Sequence, residues 1–147
     1  VEGEILEMPK MSKVPKMPKV HERKNNMENK QQVREFVKQL EKRTLEFAIR
    51  VIHLSAMLPD TPEGRIIRNQ IIKAGTSLGA NYREANRARS SAEFRSKIRI
   101  CESEASETQY WFEVIREMAW IPLERLGPDH EECNELLGLF TSIGKSL

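Results

Sequence analysis

Few of the residue types that build metal sites, disulfide frameworks or catalytic centres occur in this chain. It has two cysteines and three histidines in 147 residues, and Cys101 and Cys133 lack a metal-ligand spacing. We therefore expect two reduced thiols, no metal site and no cofactor. Since no nucleophile lies beside a candidate base in any recognisable pattern, the sequence predicts no enzymatic activity.

Long apolar runs are also missing. No stretch approaches the roughly 20 apolar residues that a membrane-spanning helix needs, so the sequence predicts no contact with a membrane. Near the amino terminus, Ile5, Leu6 and Met8 are interrupted at once by Pro9 and Lys10, which leaves no apolar core for a signal peptide. The location that we expect is the cytoplasm.

The first 30 residues are rich in proline, lysine and methionine, with near-repeats such as Met17-Pro18-Lys19. Because proline lacks the backbone N–H that a helix requires, residues 1–30 are predicted to form a flexible arm, and residues 31–147 a separate folded domain. A basic arm of this kind could touch nucleic acid or could be a solvated extension.

Apolar residues at alternating spacings of four and three predict the first two helices. The first runs from about Gln31 to Leu58 and is stopped by Pro59. The second begins after Thr61, which is placed to cap it, with Pro62 at the first helical position. The inward residues of the first helix are Val33, Val37, Leu40, Thr44, Phe47, Val51, Leu54 and Leu58.

A capping box at Ser90 and Glu93 predicts the start of the third helix. Its inward residues are Phe94, Ile98, Cys101, Ala105, Thr108, Phe112, Ile115 and Ala119. Pro122 and Gly127-Pro128 are expected to break the chain before a short fourth helix through Cys133, Leu136, Phe140, Ile143 and Leu147. The predicted fold is all-α, an antiparallel up-and-down four-helix bundle with a flexible N-terminal arm.

Two glycines in the middle of the second helix, Gly75 and Gly79, together cost about 2 kcal/mol in helix propensity relative to alanine. Close backbone approach, within the bundle or between subunits, is the favoured explanation. Cradling of a phosphate is the alternative, although the segment lacks the lysine of a nucleotide-binding loop.

Polar residues near the middle of the second and third helices suggest either a carboxylate metal site or a buried hydrogen-bonded layer. The residues concerned are Asn81, Glu84, Glu104 and Glu107, and Thr108 and Tyr110 could join them. A metal site of the ferritin-like kind needs Glu-x-x-His pairs, which are missing here. The polar layer is therefore preferred, because buried carboxylates must be paired.

The aromatic neighbours Tyr110 and Trp111 have two readings. They could stack on nucleobases. At helical spacing beside Phe112 and Ile115, however, at least one of them is expected in the core or in a subunit interface. Tyr82 is assigned to helix packing in the same way.

Charge is strongly segregated along the chain. Residues 83–99 contain six basic and two acidic side chains, whereas residues 100–135 contain ten acidic and two basic ones. Since the second and third helices meet near Arg89, the basic groups gather at one end of the bundle, where they could neutralise phosphates. The candidate nucleic-acid contacts are Arg83, Arg87, Arg89, Arg95, Lys97 and Arg99. The alternative is a solvated turn whose cations pair with acidic neighbours.

Two runs carry a resemblance to a known family. The matching positions are Gly75, Thr76, Ser77, Gly79, Ala80, Asn81, Tyr82, Arg83, Glu84 and Ala85, followed by Glu104, Ala105, Glu107, Thr108, Tyr110 and Trp111. They resemble the four-helix-bundle proteins encoded in intervening sequences of bacterial large-subunit ribosomal RNA genes. The resemblance implies rings of five subunits. It also implies kinship with the accessory proteins of diversity-generating retroelements, which bind a reverse transcriptase and nucleic acid.

Two hypotheses follow. The first is a non-catalytic homo-oligomeric scaffold, a pentamer by resemblance, that binds RNA or single-stranded nucleic acid, or a ribonucleoprotein, through its basic end. The second is a structural protein-protein adaptor, for example the accessory subunit of a reverse transcriptase. Apolar residues outside the inward stripes favour self-association in either case: Ile49, Ile52, Ile66, Ile72, Ile100 and Met118.

Overall fold

Four helices account for nearly all of the chain that the computed structural model describes, residues 27–147. They are α1 (Met27–Ser55), α2 (Pro62–Asn86), α3 (Ser91–Met118) and α4 (Leu123–Lys145). Within this range the fold is the predicted all-α four-helix bundle, with no strand. The expectation of a flexible arm lies outside the described residues, except that residues 27–30 already belong to α1.

The two predicted helix starts are confirmed. The hydroxyl of Thr61 accepts a hydrogen bond from the Gly64 N–H at 3.1 Å, with Pro62 at the first helical position. The Ser90 hydroxyl accepts from the Glu93 N–H, and the Glu93 carboxylate accepts from the Arg89 N–H, both at 3.1 Å. These bonds satisfy amide groups that a helix start otherwise leaves without a partner.

The prediction of a short fourth helix was wrong. α4 begins at Leu123, and Pro128 lies inside it. An interior proline costs about 3 kcal/mol. Tertiary contacts offset this cost, because Leu126 is fully buried beside the proline and the neighbouring Asp129 bonds to Arg50 of α1. The reversal between α3 and α4 occurs instead at Ala119, a C-cap in the left-handed region with φ of 53°.

The core consists of one buried stripe from each helix, largely as predicted. Phe47 and Phe112 meet across its centre with ring centroids 6.5 Å apart, and Tyr82 meets Phe140 edge-on at 5.5 Å. Ala119 is the exception in the predicted stripe of α3, because it lies exposed in the turn. None of the four helices is long and apolar enough to cross a bilayer.

Candidate nucleic-acid interface

The basic end of the bundle is built by the last turns of α2 and the first turns of α3. Five of its six predicted cations are exposed: Arg83, Arg87, Arg89, Arg95 and Arg99. Within residues 27–147 none of these five guanidinium groups has an ion-pair partner. Unpaired arginines can form two parallel hydrogen bonds to a phosphate without first giving up a carboxylate.

Lys97 differs from these arginines. Its ammonium group donates a hydrogen bond to Glu84 at 2.7 Å, which links α3 to α2. This hydrogen bond lowers the pKa of Glu84 and raises that of Lys97. The lysine is therefore occupied within the bundle, and any contribution to phosphate binding would have to compete with this pair.

The first helix adds cations to this end that the sequence analysis missed. The Asn86 side chain at the end of α2 donates to the Glu41 carboxylate of α1 at 3.4 Å. Since α1 and α2 are antiparallel, the turns of α1 before Glu41 lie at or beyond the α2–α3 junction. They carry Arg34 and Lys38, both exposed. Aligning α1 antiparallel to α2 would have shown that these cations lie beside the α2–α3 junction.

Gly75 and Gly79 lie where α2 packs closely against α1. A Cβ atom on Gly75 would lie 3.0 Å from a methyl carbon of Val51, and one on Gly79 would lie 3.0 Å from the Thr44 hydroxyl oxygen. Both glycines are in the middle of α2, where helical bonding occupies the backbone N–H groups. The geometry favours packing within the bundle over the cradling of a phosphate.

The predicted buried layer of carboxylates was wrong. Glu84 and Glu107 are exposed, and Asn81 and Glu104 are only partly covered. Burial raises the pKa of Glu104, and the neighbouring charge of Glu107 raises it further. No group of three or more His, Cys, Asp or Glu side chains between residues 27 and 147 is arranged to hold a metal ion.

The buried charges lie instead between α1 and α4, where the sequence analysis placed none. The guanidinium of Arg43 donates from Nε to Glu132 at 2.8 Å and also bonds to Glu135. Arg43 and Glu132 are each about 5% exposed. Two helical turns further along α1, Arg50 donates to Asp129 at 2.6 Å. The missed signal was a pair of arginines seven residues apart beside the inward stripe of α1.

The two aromatic neighbours occupy different environments. Tyr110 is 56% exposed, whereas Trp111 is partly buried and packs against the core. Their ring centroids lie 5.0 Å apart in an edge-on arrangement. The Trp111 indole N–H donates to Glu107 at 3.4 Å. Tyr82, by contrast, is fully buried, and burial raises the pKa of its phenol.

Comparison with known proteins shows a matching family and a similar solved structure. The family model described as 23S rRNA-intervening sequence protein matches residues 37–142. A crystal structure described as a protein of unknown function from the S23 ribosomal protein family of Bacteroides thetaiotaomicron is 36% identical. The similarity covers 71% of this chain and 97% of that one, with a TM-score of 0.67. No curated protein matches the chain.

Proposed function

Because the chain belongs to the 23S rRNA-intervening sequence protein family, we propose that it is a non-catalytic cytoplasmic scaffold that binds RNA or single-stranded nucleic acid. It acts as a closed homo-oligomer, and the basic end of each bundle provides the contacts. The observation that carries this proposal is the cluster of five exposed arginines without ion-pair partners in the described chain. Surface arginines in an ordinary solvated turn would be expected to pair with the acidic residues around them.

Exposed apolar side chains support the oligomer. Leu45, Ile49 and Ile52 follow one another at spacings of four and three along the outward side of α1 and are 48%, 45% and 45% exposed. Each bundle has already filled its core, so a second subunit is the simplest cover for this stripe. Closed rotational symmetry would then repeat the basic end around one rim, and weak contacts would act together.

The same stripe favours the second candidate, a protein-protein adaptor, since an apolar face can also receive a different protein. An accessory subunit of a reverse transcriptase would be an adaptor of this kind. The two functions differ in their response to salt. Each phosphate contact releases counterions, so nucleic-acid binding weakens steeply as ionic strength rises, whereas an apolar interface does not.

The test is the binding of the full chain to structured and single-stranded RNA at several salt concentrations. We expect affinity to fall with salt, and the charge-reversal variant Arg87→Glu/Arg89→Glu/Arg95→Glu to lose at least about 100-fold in affinity. The matched control is Arg65→Glu/Arg116→Glu/Arg125→Glu, which makes the same charge change on exposed arginines near the opposite end. It should bind far more tightly than the first variant.

Equal loss in both variants would show that net charge alone drives binding. If the wild type shows no salt-dependent binding to any RNA, or if the first variant binds as well as the wild type, the adaptor function becomes the better account. Circular dichroism and light scattering of each variant should show unchanged helix content and oligomer size, because the replaced side chains lie outside the core.

A further inference from the structure

A shallow groove runs between α3 and α4, and of the five exposed arginines at the α2–α3 junction it includes Arg99. Its walls include Glu102, Ser103, Ser106, Glu107, Tyr110 and Leu137. The exposed Tyr110 ring is held edge-on against Trp111, and Arg99 marks the end of the groove nearest the basic end. The groove therefore combines an exposed aromatic ring with carboxylates.

Carboxylates continue along α3 beyond this groove. Glu113 follows Tyr110 by one helical turn and is exposed. Glu102, Glu107 and Glu113 have no ion-pair partner within residues 27–147. Glu102 and Glu113 are three helical turns apart, so they lie on one side of α3 and are separated by about 16.5 Å along its axis, whereas Glu107 lies on the side nearer Trp111.

The chain itself contains a segment with complementary chemistry. From Pro9 to Val20 the sequence repeats every three residues, with a lysine in the middle of each triplet and methionine or valine at its end. The lysines are Lys10, Lys13, Lys16 and Lys19. In a polyproline II conformation three residues span about 9 Å. A segment bound in that form would place its lysines along one edge, and lysines two triplets apart would be separated by about 18 Å, close to the separation of Glu102 and Glu113.

From this match we propose that residues 8–20 of the same chain bind the groove between α3 and α4. Three of the four triplets begin with proline, and aromatic rings are the usual receptors for proline-rich segments. Tyr110 would contact the proline and apolar edges, while Glu102 and Glu113 would pair with lysines. The proposal needs neither RNA nor the arginines of the basic end, and stands independently of the proposed function.

The test uses the full chain with p-benzoylphenylalanine in place of Tyr110, irradiated in the absence of RNA. Mass spectrometry should map the cross-links to residues 8–20. Their yield should fall at least about fivefold when the four lysines are replaced by serine, and also when salt is raised to about 0.5 M. The cross-linked product should keep a single-chain mass on a denaturing gel, and a double-chain mass would contradict binding within one chain.

The matched control carries the same cross-linker in place of Ile52, which lies on the outward side of α1. It should give few cross-links to residues 8–20. A charge swap provides a second test, since Glu102→Lys/Glu113→Lys should reduce the yield from position 110, and replacing the four lysines by glutamate in that variant should restore it. Cross-links that avoid residues 8–20, occur equally at position 52, or persist without the lysines would overturn the proposal.

Discussion

The charged residues of this bundle differ most in how deeply their side chains are buried. Arg43 sits almost completely buried beside Glu132, whereas Arg65 pairs with Asp60 through a side chain that is 58% exposed. An arginine–carboxylate pair therefore contributes differently to stability in the two places. In the buried pair each ion depends on the other for its solvation, while water solvates the exposed ions.

Replacing Arg43 should therefore be costly. We expect Arg43→Met to lower the free energy of unfolding by about 3–5 kcal/mol, because Glu132 would remain buried without its main partner. The control, Arg65→Met, should change it by less than about 1 kcal/mol. Urea unfolding followed by circular dichroism gives both values. A loss below about 1 kcal/mol for Arg43→Met would show that water reaches this pair in solution.

The two thiols predict a specific pH dependence. Burial raises the pKa of both Cys101 and Cys133 to about 12, against an ordinary value of 9.0. Between these values the unfolded chain has lost thiol protons that the folded chain keeps, so the free energy of unfolding should fall as the pH rises from 9 towards 12. Cys101→Ala/Cys133→Ala should show a shallower fall. At about pH 8 a disulfide reagent should label neither thiol until urea unfolds the chain, and rapid native labelling would contradict this burial.

Among the elements, α2 depends on small residues and α4 on tertiary contacts. Gly75 and Gly79 bring α2 against α1, with Thr44 and Val51 filling the space that larger side chains would need. In α4, an interior proline is tolerated because buried neighbours and the ion pairs to α1 hold the helix in place. Helix propensity alone predicts neither arrangement.

Gly79→Leu tests the close approach of α1 and α2. We expect a loss of more than about 2 kcal/mol, because the added side chain must displace Thr44 or separate the helices. The matched control is Gly138→Leu in α4, where an added Cβ meets nothing within 4 Å. That substitution should raise stability by up to about 1 kcal/mol, through improved helix propensity. Thermal unfolding measures both. If Gly79→Leu is as stable as the wild type, α2 is not held against α1 as described.

At the scale of the whole molecule, charge and apolar surface occupy different places. The five exposed arginines lie around the α2–α3 junction, the carboxylates of α3 lie towards its other end, and the stripe of Leu45, Ile49 and Ile52 lies on the outward side of α1. A subunit interface on that stripe would leave the arginines accessible.

We therefore expect light scattering of the full chain at micromolar concentration to report a closed homo-oligomer. Ile49→Glu should shift it towards the monomer without loss of helix content, because the side chain is already 45% exposed in the single subunit. The control is Leu123→Glu, which changes a more exposed apolar side chain at the start of α4. It should leave the assembly intact. If the wild type is a monomer, the basic end is not repeated around a rim, and multivalent binding through that rim is ruled out.

The sequence by itself determined the first three helices, the caps of the second and third, and most of the core. These features depend on neighbours three or four residues away, as at Thr61, Ser90 and the stripe from Leu40 to Leu58. Only the tertiary structure decided that α4 begins before Pro128, that Arg43 and Glu132 share a buried pair, and that Glu84 and Glu107 face solvent. Each of these depends on the register and rotation of one helix against another. Residues distant in the sequence set that geometry, and the periodicity of a single helix does not contain it.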